Sequence, residues 1–194
     1  MTRNASIGLA ACCGAAIGMA AHAEAPPPPG YTKPAPLADR GKAPHMQVRE
    51  VSRATDGTRT YVLIFGKGDH IMSGLTEWAE KAGVGGGYLT AIGALSSAHF
   101  GWFDKDHKAY RDIRVDRQSE CIGLTGDIGT VEGKPALHVH GSVGLPDGSV
   151  QGGHLIEAVA WPTLEVFVTA TPHPLVKRKD PETSLDLFVP GDGA

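Results

Sequence analysis

Residues 137–155, LHVHGSVGLPDGSVQGGHL, place a strong turn motif between two runs with strand character. In LPDGS the proline favours the first central position of a type I turn, and Gly148 favours the left-handed position of a following bulge. A three-residue Pro-Asp-Gly loop determines which residues pair, and counting outwards from it places His140 directly opposite His154. The two glycines before His154 allow close backbone approach or a kink. The segment therefore predicts a β-hairpin of defined register.

That register predicts a cluster of three histidines. His138 lies two residues before His140 and on the same face of the strand. Opposed side chains have Cβ atoms about 4.5–5.5 Å apart, so three imidazoles can converge on one ion with metal–nitrogen distances of about 2.0–2.1 Å. A two-residue Asp-Gly turn would instead point His154 to the other face. We predict a divalent-metal site formed by His138, His140 and His154; the alternative is a set of histidines that only hydrogen-bond in a polar strand pair.

The remaining pattern predicts many strands and one helix. MQVREVS and RTYVLIFGKG form a predicted hairpin turned at ATDGT, and a helix follows with Asp69 as its N-cap and Gly83 as its stop. GYLTAIGALSSAHFGWFD predicts two strands broken near Gly93 and Ala94. Further strands are predicted at 109–115, 119–128, 136–144, 150–160 and 164–171. Consecutive strands joined by short turns favour an α+β fold with a mostly antiparallel sheet and one main helix.

The first 23 residues are typical of a targeting segment. Residues 1–23 combine an early arginine, an apolar run and an A-x-A ending, which predicts a signal peptide cleaved after Ala23 and a protein exported to the periplasm. A competing interpretation is the lipobox-like LAAC at 9–12, which would leave Cys12 as a lipid-anchored N-terminus. Cleavage after Ala23 leaves Cys121 as the one cysteine of the mature chain, and we expect it to be a small buried core residue.

Composition separates an arm from the folded domain. Residues 24–45 are dominated by proline and glycine, which predicts an extended linker or an arm lying on a partner. The domain is expected to span 46–190. The net charge of −3 lacks the basic bias of non-specific nucleic-acid binding, and the short run VKRKD at 176–180 is interpreted as a solvated strand end. No run beyond the first 23 residues has the length of a membrane span.

Four motifs in a fixed order resemble a known family. The motifs YLTAIGALSSAHFGWFD, ECIGLTGDIG, KPALHVHGSVGLPDGSVQGGHL and TLEVFV resemble the plants-and-prokaryotes conserved (PPC) domain across residues 46–190. The resemblance implies an α+β domain with a mostly antiparallel sheet, assembled as a homotrimer. In the prokaryotic branch the H-x-H and G-G-H histidines hold a metal, usually zinc, so the resemblance implies the same role for His138, His140 and His154.

The resemblance does not carry DNA binding to this chain. Plant members pair the domain with AT-hook segments containing R-G-R-P, a motif that this sequence lacks. Plant domains also lack the histidine set. We therefore expect no nucleic-acid partner.

Two functions are compatible with the predicted site. The first is an exported, trimeric module that binds a small ligand or supports assembly. The second is a metal-dependent lyase or hydrolase acting on a small oxygenated acid or ester, because acetolactate decarboxylases look similar in fold and place zinc on an H-x-H plus a downstream histidine. Catalysis needs an acid or base, and Glu157 and Glu165 are charged residues within apolar strands. Each is either a partner that orients an imidazole or part of an interface ion pair. His99, near Trp102 and Phe103, is expected to pack rather than to bind metal.

Overall fold

The computed structural model describes residues 26–33, 42–189 and 191. The predicted signal peptide and lipobox, and residues 24–25 and 34–41 of the predicted arm, lie outside these residues. The elements in chain order are β1 (Tyr31–Thr32), β2 (Gln47–Arg53), β3 (Arg59–Phe65), α1 (Ile71–Ala82), β4 (Gly87–Asp104), β5 (Ala109–Val115), β6 (Ser119–Val131), β7 (Lys134–Gly144), β8 (Val150–Ala170), β9 (Lys177–Lys179) and β10 (Asp186–Phe188).

Eight of the strands form one sheet with the order β1-β5-β4-β6-β7-β8-β3-β2, and β4 also pairs with β8. All of these strand pairs are antiparallel, and β9 and β10 form a separate two-stranded sheet. The fold class is therefore α+β with a mostly antiparallel sheet and, in the described residues, one helix, as the sequence predicted.

The two predicted interruptions of long strands are wrong. β4 continues through Gly93, where the pairing with β6 and β8 shifts register instead of ending. A Cβ at Gly93 would lie 2.8 Å from the Cα of Leu164, so the absent side chain lets β8 pass close by. β8 likewise continues through Trp161 and Pro162, which are joined by a cis peptide bond. A glycine or proline in these strands marks a bulge or a bend and leaves the strand continuous.

The N-cap of the helix lies one residue after the predicted position. His70 occupies the N-cap position without a side-chain cap, whereas Asp69 is fully buried and accepts hydrogen bonds from the amides of His45 and Gly66 at 2.9 Å each. Asp69 therefore stabilises the chain before the helix. The predicted stop is confirmed, because Gly83 is the C-cap with φ of 64°.

The sheet has one buried and one open face. Along β4, Leu89 and Ala91 are buried in the core that includes the helix, while Tyr88 and Ile92 alternate with them and are 61% and 59% exposed. Cys121 is buried as expected, and burial raises the pKa of its thiol to about 11. In the described part of the chain, no helix has the length and apolarity needed to cross a membrane.

Candidate metal centre

The turn between β7 and β8 has the predicted geometry. The amide of Leu145 donates to the carbonyl of Ser149 at 2.9 Å, and Gly148 has φ of 80°, in the left-handed region that glycine tolerates. Counting outwards from this pair, His140 lies opposite His154. The register prediction is confirmed.

The three predicted histidines come together on the face of the sheet opposite the helix core. One ring nitrogen of each of His138, His140 and His154 lies within 4.8 Å of the other two, and the Nε2 atoms of His138 and His140 are 3.0 Å apart. The ring centroids are separated by 4.9, 5.3 and 5.5 Å. Tetrahedral coordination at about 2.0–2.1 Å places ligand nitrogens about 3.3 Å apart, so small side-chain rotations bring the set to ligating geometry. The donor set fits a divalent metal ion.

Close backbone approach around the histidines depends on glycines. A Cβ at Gly126 would lie 2.9 Å from the Cα of Val139, between the two histidines of β7. A Cβ at Gly152 would overlap the carbonyl oxygen of Gly141 and lie 2.9 Å from the Cα of Ser142. Gly152 therefore allows the close approach of β7 to β8, and Gly153, where a Cβ would lie 2.7 Å from the carbonyl oxygen of Gly101, allows that of β4.

An acidic side chain on β6 supports His138. Asp127 pairs with His138 in the strand register, and its Oδ2 lies 3.6 Å from the Nδ1 of that ring. Its Oδ1 lies 2.5 Å from the Nζ of Lys177. Burial raises the pKa of Asp127, but the contacts with His138 and Lys177 outweigh it and hold the pKa below its usual value. Asp127 is therefore an ionised partner for the ring nitrogen that points away from the other histidines, the arrangement that commonly orients metal-binding histidines.

An aromatic side chain on β5 supports His154. The ring of Tyr110 stacks on the imidazole of His154, with centroids 4.3 Å apart and planes at 8°. Tyr110 is 6% exposed, and burial raises the pKa of its hydroxyl to about 12. The stacked ring restricts the rotation of His154, which favours a preformed site.

The electrostatics of His140 also favour metal binding. Partial burial, and then the nearby His138, lower the pKa of His140 below its ordinary value. The neutral imidazole is the form that ligates a metal ion. His140 therefore stays in its binding form at lower pH than an isolated histidine.

The two glutamates considered as acids or bases have other positions. The carboxylate of Glu157 accepts hydrogen bonds from the amide of Met72 at 2.8 Å and from the hydroxyl of Ser73 at 2.7 Å, so it caps the first turn of α1. Glu165 is exposed and pairs with Ile92 in the register. Neither glutamate belongs to the three-histidine group.

His99 also lies outside that group, and it does more than pack. Its Nε2 lies 2.8 Å from Oδ1 of Asp112, which also accepts a hydrogen bond from the hydroxyl of Thr32 at 2.7 Å. Sequence reasoning therefore missed Tyr110, Asp127 and Lys177 beside the histidine group and Asp112 beside His99.

Comparisons with solved structures place the fold among known metal-containing and PPC proteins. A metal-containing protein from Archaeoglobus fulgidus is 27% identical, with a TM-score of 0.62, covering 74% of this chain and 97% of that one. A plant- and prokaryote-conserved (PPC) protein from Pyrococcus horikoshii is 28% identical, with a TM-score of 0.64, covering 68% and 91%. A Ralstonia eutropha protein, described provisionally as DNA-binding, is 27% identical, with a TM-score of 0.63, covering 71% and 94%.

A comparison with curated proteins finds no match. A sequence model of one family matches residues 52–172, which is more than half of the chain and contains all three histidines. The hairpin register, the histidine group and this match agree with the resemblance carried by the four motifs. The chain belongs to the Plants and Prokaryotes Conserved (PCC) domain family, the family also abbreviated PPC.

Proposed function

We propose that His138, His140 and His154 hold one zinc ion, and that the protein is an exported, trimeric module that binds a small ligand at this metal. The observation that carries the proposal is the convergence of three ring nitrogens within 4.8 Å of one another. Three imidazoles are a donor set that zinc uses in proteins when a fourth position stays open for water or another ligand.

The surroundings of the site favour an anionic oxygen ligand. His138 and His140 are exposed, so the fourth position would face solvent. The negative charge of Asp127 is balanced by Lys177, and the three imidazoles are neutral when they bind metal. The positive charge of the metal ion would therefore not be neutralised by the protein, and a carboxylate is a suitable fourth ligand.

We favour ligand binding over catalysis because the acidic side chain next to the histidines, Asp127, is badly placed to act as a general acid or base. Asp127 lies behind the His138 ring, at Nδ1, and its other oxygen contacts Lys177. A carboxylate held in this way orients a ligand and is badly placed to exchange protons with a substrate at the open position. The alternative is a metal-dependent lyase or hydrolase acting on a small oxygenated acid or ester, which an open zinc position would support by polarising a carbonyl or activating water.

The decisive experiment measures metal content. We expect about one zinc per chain by elemental analysis of the purified protein, and a loss of that zinc in His140→Ala. His173→Ala is the matched control, because His173 is exposed and outside the histidine group. Failure to retain stoichiometric metal after zinc addition would reject the site. With metal present, turnover of a keto-acid, hydroxy-acid or ester would select the enzyme, and saturable binding without turnover would select the module.

The homotrimer is proposed on an exposed apolar surface. Tyr88, Ile92 and Phe167 are 61%, 59% and 49% exposed and lie on the open face of neighbouring strands β4 and β8. Exposed apolar surface of this kind commonly marks a protein interface. Sedimentation analysis should show a trimer that Ile92→Lys disrupts and that Val51→Lys, on β2, leaves intact. A monomeric wild-type protein would contradict this proposal.

Export to the periplasm is proposed on the composition of residues 1–23. Intact-mass analysis of the mature protein tests it. A start at Glu24 supports the signal peptide, an acylated Cys12 supports a lipid anchor instead, and a mass that retains all 194 residues contradicts both. DNA binding forms no part of the proposal, because the chain carries a net charge of −3 and has no R-G-R-P motif.

A further inference from the structure

A short hairpin near the end of the chain contacts the candidate metal centre. β9 and β10 lie outside residues 52–172, which the family match covers. The hairpin is attached to β6 through a parallel bridge between Thr130 and Val176, and the amide of Thr130 donates to the carbonyl of Leu175 at 2.7 Å. This attachment places the first residue of β9 beside Asp127.

Lys177 lies in the run VKRKD, which was predicted to be a solvated strand end. That prediction is wrong for this residue, because Lys177 is buried. It is 4% exposed, whereas Arg178 and Lys179 are exposed. Its Nζ donates to the carbonyl of Ala136 at 3.2 Å and lies 4.8 Å from the centroid of the Phe188 ring on β10. Burying an ammonium group is costly unless it is paired, and the partner here is the carboxylate of Asp127.

The two oxygens of Asp127 have different partners. Oδ1 contacts Lys177 and Oδ2 faces the Nδ1 of His138, while Nε2 of the same ring points to His140. A continuous series of polar contacts therefore runs from β9, through β6, to a metal-binding strand. The carboxylate is 30% exposed, so without Lys177 it is able to turn towards water.

We propose that Asp127 is a positioning residue for His138, and that the β9–β10 hairpin holds Asp127 in place through Lys177, so that this segment, which lies outside the residues 52–172 matched by the family model, sets the metal affinity of the site. The inference rests on the proposed metal site. The proposal also explains why a lysine is buried at this position. Stability alone does not require one, because an apolar residue of similar size would fill the same space without a charge to neutralise.

Two physical effects predict opposite results for the loss of Lys177. If the lysine acted only through its charge, its removal would leave the carboxylate unneutralised near the ion and tighten metal binding. If it acts by holding the carboxylate, its removal lets Asp127 leave His138, and metal binding weakens. Loss of such an outer partner typically lowers metal affinity about 10–100-fold, and the contact geometry points to this second result.

The test measures the zinc affinity of the full chain by competition with a chelating indicator. We expect Asp127→Ala and Lys177→Met to bind zinc about 10–100-fold more weakly than wild type. The matched control is Lys179→Met, on the same strand but exposed, which should bind as wild type does. Replacing zinc by Co²⁺ gives a second readout, because the visible absorption of bound Co²⁺ changes with the geometry of its ligands. This signal does not depend on the free energy of unfolding.

Circular dichroism of the metal-free variants checks that they fold. If Lys177→Met does not fold, Asp127→Asn replaces it as the test, because it keeps the size of the side chain and removes its charge. Asp127→Asn should still weaken zinc binding at least about threefold, because the charged contact with His138 is lost. Unchanged or tighter zinc binding in folded Lys177→Met or Asp127→Ala would overturn the proposal. A wild-type protein that binds no zinc would reject the proposed metal site itself. If wild type binds zinc and the variants bind it equally well, the metal site stands and only the positioning role is rejected.

Discussion

Substitution of Gly152 by alanine tests whether the close approach of β7 and β8 makes the site. The added Cβ would overlap the carbonyl oxygen of Gly141 and lie 2.9 Å from the Cα of Ser142, where ordinary contact begins at 3.4 Å. Both obstacles are backbone atoms, which side-chain rotation does not move. The two strands must therefore separate by at least about 0.5 Å next to His154.

The size of the effect follows from the tolerance of the site. Ligand groups in a preorganised site are held to within about 0.5 Å, so the displacement uses the whole tolerance. We expect zinc affinity to fall at least about tenfold, or roughly 1.4 kcal/mol. Forced separation of well-packed elements typically costs about 1–3 kcal/mol, so the free energy of unfolding of the metal-free protein should fall by a similar amount.

The matched control for this substitution lies on the same hairpin. A Cβ at Gly144 would lie 3.5 Å from Cδ1 of Ile122, a flexible side-chain atom at ordinary contact distance. Gly144→Ala should therefore keep both zinc affinity and stability, measured by chelator competition and urea unfolding. If Gly152→Ala binds zinc as tightly as Gly144→Ala, close strand approach does not determine the geometry of the site.

Two further predictions concern Tyr110, which stacks on His154, and Glu157, which caps α1. Because burial raises the pKa of Tyr110 to about 12, the unfolded chain ionises first as pH rises, so this group's stabilisation is complete below pH 10 and is lost between about pH 10 and 12. Over that range the free energy of unfolding of the chelator-treated wild type should fall by about 2–3 kcal/mol more than that of Tyr110→Phe. Equal losses would show that the ionisation of Tyr110 does not cause the pH dependence. Glu157→Gln should reduce the free energy of urea unfolding by about 1–2 kcal/mol by weakening the cap of α1. Exposed Glu165→Gln should change it by less than about 0.5 kcal/mol, and equal effects would refute the capping role.

The predictable parts of the fold are those with local determinants. The Leu-Pro-Asp-Gly-Ser turn contains its own geometry, so the pairing of His140 with His154 followed from five consecutive residues. Strand continuity did not follow in this way. Gly93 pairs with Cys121 of β6 and Leu164 of β8, so neighbours on both sides hold β4 through the glycine, and β8 resumes its pairing with β4 at Leu164 after Pro162. The role of Glu157 was also hidden, because the helix that it caps lies about 85 residues earlier in the chain.

Some of the missed residues had a signal in the sequence. Glu132 and Gly133 form a two-residue turn with φ of 50° and 78°, joining β6 to β7. Counting outwards from that turn pairs Asp127 with His138, so the carboxylate beside the histidine was open to the same reasoning as the histidines themselves. Tyr110 and Lys177 had no such signal, because they reach the site through the pairing of β4 with β5 and the docking of β9, which no short segment specifies.

The histidine group and its supporting carboxylate therefore depend on different turns. β7 is shared by two hairpins, one closed by Glu132 and Gly133 and the other by the loop containing Gly148. A one-residue slip in the second hairpin would turn His154 to the other face and leave two of the three histidines together. A slip in the first hairpin would turn Asp127 away and leave the three histidines together without the carboxylate beside His138. Because the two registers are set by different turns, we expect metal affinity to be separable from the presence of the histidine group, and residues outside the histidine motif to tune it.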